Sequence, residues 1–352
     1  MEVIRPMAPT TLIQEHTRRP IASQSKTDEG TDLSIIFVNW NSFAYLAESL
    51  ESIYSKANEQ GWQIIVVDNA SFPDESLKIR SRFPDIEFTR SEQNLGFAGA
   101  NNLGFQRSNG RHILFLNPDT RVLGSAVESM LARLKALPDA GVVGCKLLNS
   151  DGTVQTSCVQ RFPTVLNQLL EVDCLQKKWP TWRMWGIAPL YDDSRAFAPV
   201  EVVSGACLMI RRDVFQQAGL FSKKYFMYSE DVDLCYQVQA RGWRIYYTSD
   251  ASVIHHGGGP SQAHKGGQWV AVMQRRAIFS FLVATRGGLY ATVYRAAMAF
   301  SAVIRLVLLA SMLPFERDSK REFTSRSARK WMGVLKWAVR QDQGIAGSDR
   351  GK

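Results

Sequence analysis

The chain has 352 residues, of which 45% are hydrophobic and 21% are charged, and its formal net charge is +9. This size and composition exclude an intrinsically disordered protein and are sufficient for one large domain with an appendage. The five cysteines show no C-x-x-C spacing, which argues against a disulfide framework or a zinc knuckle and fits a reducing cytosol.

The N-terminal part of the chain predicts a tail followed by alternating strands and helices. Residues 1–30 are mostly polar and lack the apolar core of a secretory signal, so we expect a disordered tail. From residue 33 onwards, strands are predicted for LSIIFVNW, WQIIVVDNAS, the start of IEFTRSEQ and RHILFLNPDT, with helical periodicity between them. This alternation predicts an α/β fold with a mostly parallel sheet covered on both faces. Right-handed crossovers then bring Asn39, Asp68, Asn94 and Asp119 to one edge of the sheet.

The second half of the chain begins with a segment that has no regular pattern. Residues 156–199 predict either a segment that faces the substrate or an irregular surface cover. The pattern returns with VEVVSGACLMIRRDVFQQAGLF, a strand and a short helix that Gly219 ends. Another helix begins after Ser229, the predicted N-cap, and ends at Gly242, before the strand WRIYY.

Polar residues that follow the predicted strands are candidates for nucleotide contacts. Asp68 and Asn69 offer an acceptor and donors to a base or ribose, or they form an Asx-turn that closes the strand. In NLGFAGANN the glycines allow the backbone to approach a phosphate, with Asn101 at the start of or within the following helix, although the G-x-G-x-x-G spacing is absent. Asp119, directly after a proline, is either a metal or phosphate-side ligand or a cap for the next turn through Thr120.

Three acids and two histidines further along are candidates for acid–base chemistry. Glu230, Asp231 and Asp233 either complement the dipole at a helix N-terminus or include a general base. The neighbouring run KYFMY could wall a substrate pocket. His255 and His256 are adjacent in a strand and point to opposite faces, so at most one of them can share a site with the acids.

Seven motifs follow one another between about Leu33 and Ser261. They are SIIFVNWN, IIVVDNAS, EQNLGFAGANN, LFLNPDT, VSGACLMIRRDVF, YFMYSEDVDLCYQ and IHHGGG. In this order they resemble the inverting glycosyltransferases of family two, which have a GT-A fold, and most closely the bacterial rhamnosyltransferase-type branch. The resemblance implies a Rossmann-like GT-A domain at residues 31–265 that uses a nucleotide-sugar donor.

The resemblance also implies a role for individual residues. Asp231 would be the catalytic base and Glu230 an acceptor contact, while Asp119 and His255 would hold a divalent metal ion, Mg²⁺ or Mn²⁺, on the diphosphate. Two acidic clusters on opposite sides of a cleft suit inverting transfer, which needs a base for the acceptor and charge neutralisation at the diphosphate. Many relatives carry a carboxylate where this chain has Asn117. Nucleotide contacts are implied for Asn39, Asp68, Asn69, Asn94, Gly96, Asn101 and Asn117.

The basic charge belongs to a C-terminal appendage. Residues 266–315 contain five Arg and no Asp or Glu, and residues 316–352 contain ten Lys or Arg against five acids. In the apolar run AIFSFLVATRGGLYATVYRAAMAFSAVIRLVLLASMLP, the window 296–313 holds only Arg305, which permits a transmembrane span, interfacial helices or helices packed on the catalytic domain. We favour interfacial helices, because arginines can reach anionic headgroups. The basic tail 316–352 is a second candidate for the membrane surface.

These patterns and the resemblance together predict an inverting glycosyltransferase at the cytoplasmic face of a bacterial inner membrane, peripheral or monotopic. The favoured reaction moves L-rhamnose from dTDP-rhamnose to a lipid-linked or polysaccharide acceptor in cell-envelope glycan synthesis. Expected partners are the donor, the acceptor and anionic lipid, but not nucleic acid. The alternatives are another hexosyl- or galactofuranosyltransferase of this family, a sugar nucleotidyltransferase and a non-catalytic basic membrane module. A nucleotidyltransferase would need a glycine-rich loop with Lys or Arg near the first strand, which IFVNWNSF does not provide.

Overall fold

Within the described part of the chain, nine strands form one mixed sheet and two short strands pair separately. The computed structural model describes residues 30–170, 176, 178–191, 197–257, 267–312 and 318–340, so the tail predicted for residues 1–30 lies outside it except for Gly30. The strands are β1 Leu33–Asn39, β2 Gln63–Asp68, β3 Glu87–Arg90, β4 His112–Leu116, β5 Thr120–Val122, β6 Ala140–Leu148, β7 Val159–Gln160, β8 Phe197–Val200, β9 Val202–Val203, β10 Cys207–Arg211 and β11 Arg244–His255.

Helices connect most of the strands and then continue beyond the last one. They are α1 Phe43–Gln60, α2 Ser76–Arg82, α3 Gly96–Arg107, α4 Ala126–Ala136, α5 Val165–Leu169, α6 Arg212–Ala218, α7 Glu230–Ala240, α8 Gly267–Arg286, α9 Gly288–Met312 and α10 Asp318–Val339. α6 ends at Gly219 in a left-handed conformation, as predicted. The segment without clear periodicity, residues 156–199, forms short strands, turns and α5 where it is described.

The sheet has the order β3-β2-β1-β4-β10-β6-β11-β5, and β8 pairs with β11. Strands β3, β2, β1 and β4 are parallel to one another, and β6 is parallel to β11. Strand β10 is antiparallel to both β4 and β6, and β5 and β8 are antiparallel to β11. The prediction of a mostly parallel sheet is confirmed. The insertion of β10 between β4 and β6 was not predicted, because it depends on pairing between distant segments.

Successive residues of the central strands contribute to two apolar clusters, one on each face of the sheet. Ile35 and Phe37 of β1 belong to the cluster that contains the inner faces of α1 and α4. Ile36, between them, belongs to the cluster that contains α3, α6 and α7. All three side chains are fully buried, and burial of each contributes roughly 1.5–3 kcal/mol. Helices therefore cover both faces, as the continuous apolar character of the strands predicts.

The three C-terminal helices pack on the same face of the sheet as α7. Phe281 of α8 and Tyr236 of α7 have ring centroids 5.6 Å apart, and Phe162, which follows β7, contacts both rings. From Thr31 onwards the described residues form one compact unit. Three arrangements of the appendage were considered. On their inner side, these helices have one of them, which is packing against the preceding α/β domain.

Candidate active site

Asn39 and Asp68 meet at the C-terminal edge of the sheet. They are register partners at the ends of β1 and β2, both are fully buried, and Asn39 Nδ2 donates to Asp68 Oδ1 at 3.0 Å. The Asp68 carboxylate also accepts hydrogen bonds from the amide and hydroxyl of Ser71 and pairs with Arg90 at 3.2 Å. The loop after β2 is thus folded around this carboxylate. Asp68 therefore forms the turn after β2, which was one of the two roles considered for it. The other role, contact with a nucleotide, stays a prediction.

Two asparagines fix the glycine-bearing turn before α3. Asn69 Oδ1 accepts from the Leu95 amide at 2.8 Å, and Asn69 Nδ2 donates at 2.9 Å to Asn94 Oδ1, which also accepts from the Gly96 amide. Gly96 has a φ of +71°, and a Cβ at this position would lie 2.7 Å from the Phe226 carbonyl oxygen. Glycine is therefore required where the loop before α7 crosses this turn.

Asn101 lies inside α3 and is bonded within its own helix. Its Nδ2 donates to the Phe97 carbonyl oxygen at 3.0 Å, and the residue is 2% exposed. The structure therefore places this predicted nucleotide contact in the helix interior, while Asn39, Asn69, Asn94 and Gly96 lie at the sheet edge.

A polar cluster of Asn117, Asp119 and His255 follows the end of β4. His255 Nε2 lies 3.4 Å from both Asp119 Oδ1 and Asn117 Nδ2. β5 pairs with the end of β11 and makes His255 the register partner of Thr120, whose hydroxyl donates to the Asn117 carbonyl oxygen at 2.7 Å. His256 instead contacts Ser150 and Glu48. Each histidine thus lies beside a different acid, and the expectation that at most one of them shares a site with Glu230, Asp231 and Asp233 stays a prediction.

The donor chemistry of this cluster fits a divalent metal ion. Gln155 Nε2 donates to the His255 carbonyl oxygen at 2.5 Å, so Gln155 Oε1 is the atom 3.0 Å from His255 Nδ1, and Nδ1 carries the ring proton. His255 Nε2 then presents its lone pair towards the Asp119 carboxylate, an arrangement that a cation between them would satisfy. Among the described residues no group of three or more His, Cys, Asp or Glu side chains could hold a metal ion. Asp119 and His255 would therefore be the two protein groups that hold such an ion.

The first two acids of α7 have different environments. Asp231 is a half-buried residue, and its carboxylate accepts hydrogen bonds from the amides of Gly205 at 3.0 Å and Val232 at 2.8 Å. Glu230 is 7% exposed, and its Oε2 has no hydrogen-bond partner among the described residues. Burial, and then the Asp231 charge, raise the pKa of Glu230 to about 8. Burial also raises the pKa of Asp231, although the hydrogen bonds from backbone amides act in the opposite direction. The negative charge is therefore better stabilised on Asp231, which accepts from the amides of Gly205 and Val232, than on Glu230, whose Oε2 has no donor among the described residues.

The third acid, Asp233, lies in the first turn of α7 and contacts the loop that precedes the helix. It accepts hydrogen bonds from Lys224 Nζ at 2.9 Å and from the Tyr225 hydroxyl at 3.3 Å. Tyr228 and Ser229 then adopt φ values of 71° and 63°, and Ser229 occupies the predicted N-cap position without a side-chain cap. Consecutive left-handed residues cost about 1–3 kcal/mol each and are typical of functional sites, where the surroundings hold them in place. The loop thus holds the start of α7 in a defined position.

Comparison of the sequence with known proteins identifies the family of this chain. Residues 34–219 match the family model described as "Glycosyl transferase family 2". The chain belongs to glycosyl transferase family 2. It is 29% identical over 250 residues to N-acetylglucosaminyl-diphospho-decaprenol L-rhamnosyltransferase of Mycobacterium tuberculosis, which covers 67% of this chain and 78% of the relative. It is 23% identical to the rhamnosyltransferase WbbL of Escherichia coli, over 63% of this chain and 82% of the relative.

A solved structure confirms the fold of this family-two glycosyltransferase. The mannosyltransferase PcManGT of Pyrobaculum calidifontis, in complex with GDP-Man and Mn²⁺, matches with a TM-score of 0.54 at 15% identity, over 89% of this chain and 88% of that one. The GT-A-like architecture expected from the motifs is therefore confirmed. The family also establishes the enzyme class, a glycosyltransferase.

One turn of this glycosyltransferase joins its two acidic clusters. The Gly205 amide donates to Asp231, and the carbonyl oxygen of the next residue, Ala206, accepts from the Asn117 amide at 2.9 Å. The two anchoring residues are neighbours in the chain, with Cα atoms about 3.8 Å apart. A Cβ on Gly205 would lie 3.3 Å from Asp231 Cβ, so the turn approaches the acid closely. The same two-residue segment therefore holds both the Asp231 carboxylate and the cluster around Asp119 in place.

Sequence reasoning missed three residues of the candidate site: Arg90, Gln155 and Gly205. Gly205 lies in the VSGACLM motif, but no role was assigned to it. Arg90 is the register partner of Asp68, so the parallel pairing of β2 and β3 was the only available signal. Gln155 lies in an irregular segment, and no sequence pattern connects it with His255. All three act through contacts between distant parts of the chain.

Proposed function

We propose that this glycosyltransferase moves L-rhamnose from dTDP-rhamnose, with inversion, to a hydroxyl of a lipid-linked or polysaccharide acceptor. One observation carries the proposal. Adjacent residues of one turn contact both parts of the site: the Gly205 amide donates to Asp231, and the Ala206 carbonyl oxygen accepts from Asn117, beside Asp119 and His255. The names of the relatives in Mycobacterium tuberculosis and Escherichia coli support rhamnose as the sugar.

In the proposed reaction Asp231 is the general base. Its carboxylate accepts the proton of the acceptor hydroxyl while the hydroxyl oxygen bonds to the anomeric carbon and the bond to the diphosphate oxygen breaks. The raised pKa of Asp231 makes its carboxylate a stronger base than a solvated one. Glu230 retains its proton at neutral pH and contacts the acceptor as a neutral hydrogen-bonding group. Transfer from the face opposite the leaving diphosphate accounts for inversion.

On the donor side, the nucleotide would lie along the edge formed by the ends of β1, β2 and β4. Asn39, Asp68, Asn69, Asn94 and Gly96 border this edge, and Asn117 lies beside Asp119. Asp119 and His255 would hold a divalent ion, Mg²⁺ or Mn²⁺, which when bound supplies positive charge to the diphosphate. Gln155 keeps the His255 ring in the tautomer that leaves Nε2 available.

We place the enzyme at the cytoplasmic face of the inner membrane, where a lipid-linked acceptor is accessible. The diphospho-decaprenol in the name of the mycobacterial relative supports an acceptor of this kind. The packing of α8 against Tyr236 of α7 also supports it, because it attaches the apolar C-terminal helices to the helix that begins with the catalytic acids. Cell-envelope glycan synthesis would be the process served.

Matched substitutions at Asp231 and Glu230 test this mechanism. Asp231→Asn retains the shape of the side chain but cannot accept a proton, so transfer should fall by at least about 10²-fold while donor affinity is retained. Donor binding is measured by calorimetry with dTDP-rhamnose and other nucleotide sugars, and transfer by product formation. Glu230→Gln, which keeps a neutral hydrogen-bonding group, should retain most of the turnover. Near-normal turnover in Asp231→Asn would contradict the base assignment, and equal affinity for all nucleotide sugars would contradict the donor.

A further inference from the structure

The outer face of α9 is apolar along its length. Leu289 is 83% exposed, Phe300 65%, Val307 61% and Leu308 56%. The inner face, which includes Tyr294 and Met298, is buried against the rest of the unit. By length and composition α9 could cross a membrane, and it is the only described helix with this property. A continuous exposed apolar surface of this kind marks a binding surface.

The charge around this surface favours an anionic partner. Helices α8 and α9 together contain five Arg and no Lys, Asp or Glu, and α10 contains six Lys or Arg against two acids. Arginine side chains can extend along apolar surface while the guanidinium remains at the level of lipid headgroups. An apolar helix face with a basic surround fits an anionic lipid leaflet better than it fits a neutral protein surface.

The contacts of α9 with α10 exclude a spanning arrangement in this fold. Arg295 donates to the carbonyl oxygens of Trp337 at 3.0 Å and Ala338 at 2.9 Å, and the Arg305 guanidinium lies 4.2 Å from the Trp331 ring centroid. α10 is therefore antiparallel to α9 and lies beside it over at least two turns. If α9 crossed the bilayer, the eight charged residues of α10 would enter hydrocarbon with it or these contacts would be lost.

We infer that α9 lies in the plane of an anionic membrane leaflet, with its outer face at the boundary between headgroups and acyl chains and its inner face held by α10. The inference rests on the membrane location in the proposed function and specifies how the chain is attached. It assigns the residues that enter the lipid: Leu289, Val293, Phe300, Val303, Ile304, Val307, Leu308 and Met312, all more than two-fifths exposed.

The first test measures binding of the full chain to phosphatidylcholine vesicles with and without phosphatidylglycerol, by flotation. Phe300→Asp and Val307→Asp should each reduce the bound fraction at least about tenfold. Each removes apolar surface that would be buried in the lipid and places a charge there instead. Leu77→Asp on α2 is the matched control, since Leu77 is 75% exposed and lies outside α9, and this variant should bind as the wild type does. High salt should weaken binding without abolishing it.

The second test measures how deeply two positions of α9 lie in the membrane. Nitroxide labels on Ala296→Cys and Val307→Cys should report the same shallow depth, within about 5–10 Å of the headgroup boundary. A spanning helix would separate the two labels by about 16 Å along the membrane normal. Wild-type protein labelled in parallel gives the background from native cysteines.

Three results would overturn the inference. These are a depth difference close to the helical spacing, equal vesicle binding by Phe300→Asp and the wild type, or concentration-dependent dimerisation through this face without vesicle binding. Donor binding by calorimetry in the same samples is independent of lipid. It therefore separates a failure of membrane attachment from a failure of the proposed enzymatic function.

Discussion

Replacing Glu230 with Gln should stabilise the folded protein, by an amount that grows as the pH rises. Burial and the Asp231 charge raise the pKa of Glu230 to about 8, from an ordinary value of 4.5. Between these values the unfolded chain releases the proton and the folded chain keeps it, so wild-type stability falls with increasing pH. Each pKa unit corresponds to about 1.4 kcal/mol, so by pH 7 the wild type should be less stable than Glu230→Gln by about 3 kcal/mol.

The assay is urea unfolding of both proteins between about pH 5 and about pH 9.5, with the free energy of unfolding extrapolated to water. The difference should be small near pH 5 and should level off above the folded-state pKa. The same comparison is then made between Asp231→Asn and the double variant with Glu230→Gln. Here the pH dependence of the stability difference should be smaller, because the Asp231 charge that raises the pKa of Glu230 has been removed. A difference that stays constant across this range, or a Gln variant that is less stable at pH 7, would refute the assignment of a buried, protonated Glu230.

Three further predictions concern the donor side of the site. Asp119→Asn should reduce metal-dependent donor binding and turnover together, and a normal metal response in calorimetry would leave Asp119 as a turn residue only. Gly96→Ala should destabilise the protein by about 1–3 kcal/mol and raise the KM for the donor, because the added Cβ meets the Phe226 carbonyl oxygen; thermal unfolding and kinetics check this. Arg90→Ala should cost about 1.5–3 kcal/mol in urea unfolding, since it removes a charged donor from the buried Asp68 carboxylate, whereas Arg90→Lys should recover part of this loss.

The parts of the fold that follow from local pattern were predictable from the sequence. Strand β2 is an unbroken apolar run that ends at Asp68, and β4 ends just before a proline, so both predicted strands end close to the observed positions. Helix α7 follows from its buried stripe of Leu234, Cys235 and Val238. Parallel pairing then placed Asn39 beside Asp68, because the carboxyl ends of neighbouring parallel strands share one edge.

The parts that depend on contacts between distant segments were not predictable. No pattern indicates that the Gly205 amide bonds to Asp231 or that Gln155 orients His255, because each contact exists only after the sheet is complete. Asn101 lies within α3, as one of its two predicted positions, and its hydrogen bond to the Phe97 carbonyl oxygen could not be read from the motif. The difference between Glu230 and Asp231 also required the structure, because it arises from burial and backbone donors rather than from residue type.

The position of β10 has a consequence for how the chain folds as it is synthesised. Strands β1 to β4 leave the ribosome first, but the free side of β4 is covered only when β10 has been made and inserted between β4 and β6. At translation rates of about 5–20 residues per second, the growing chain exposes an unpaired, apolar strand edge for a time on the order of seconds. Such an edge is a template for pairing with other chains. A fragment that ends before Cys207 should therefore aggregate, and chaperones should bind the nascent chain in the interval between these two strands.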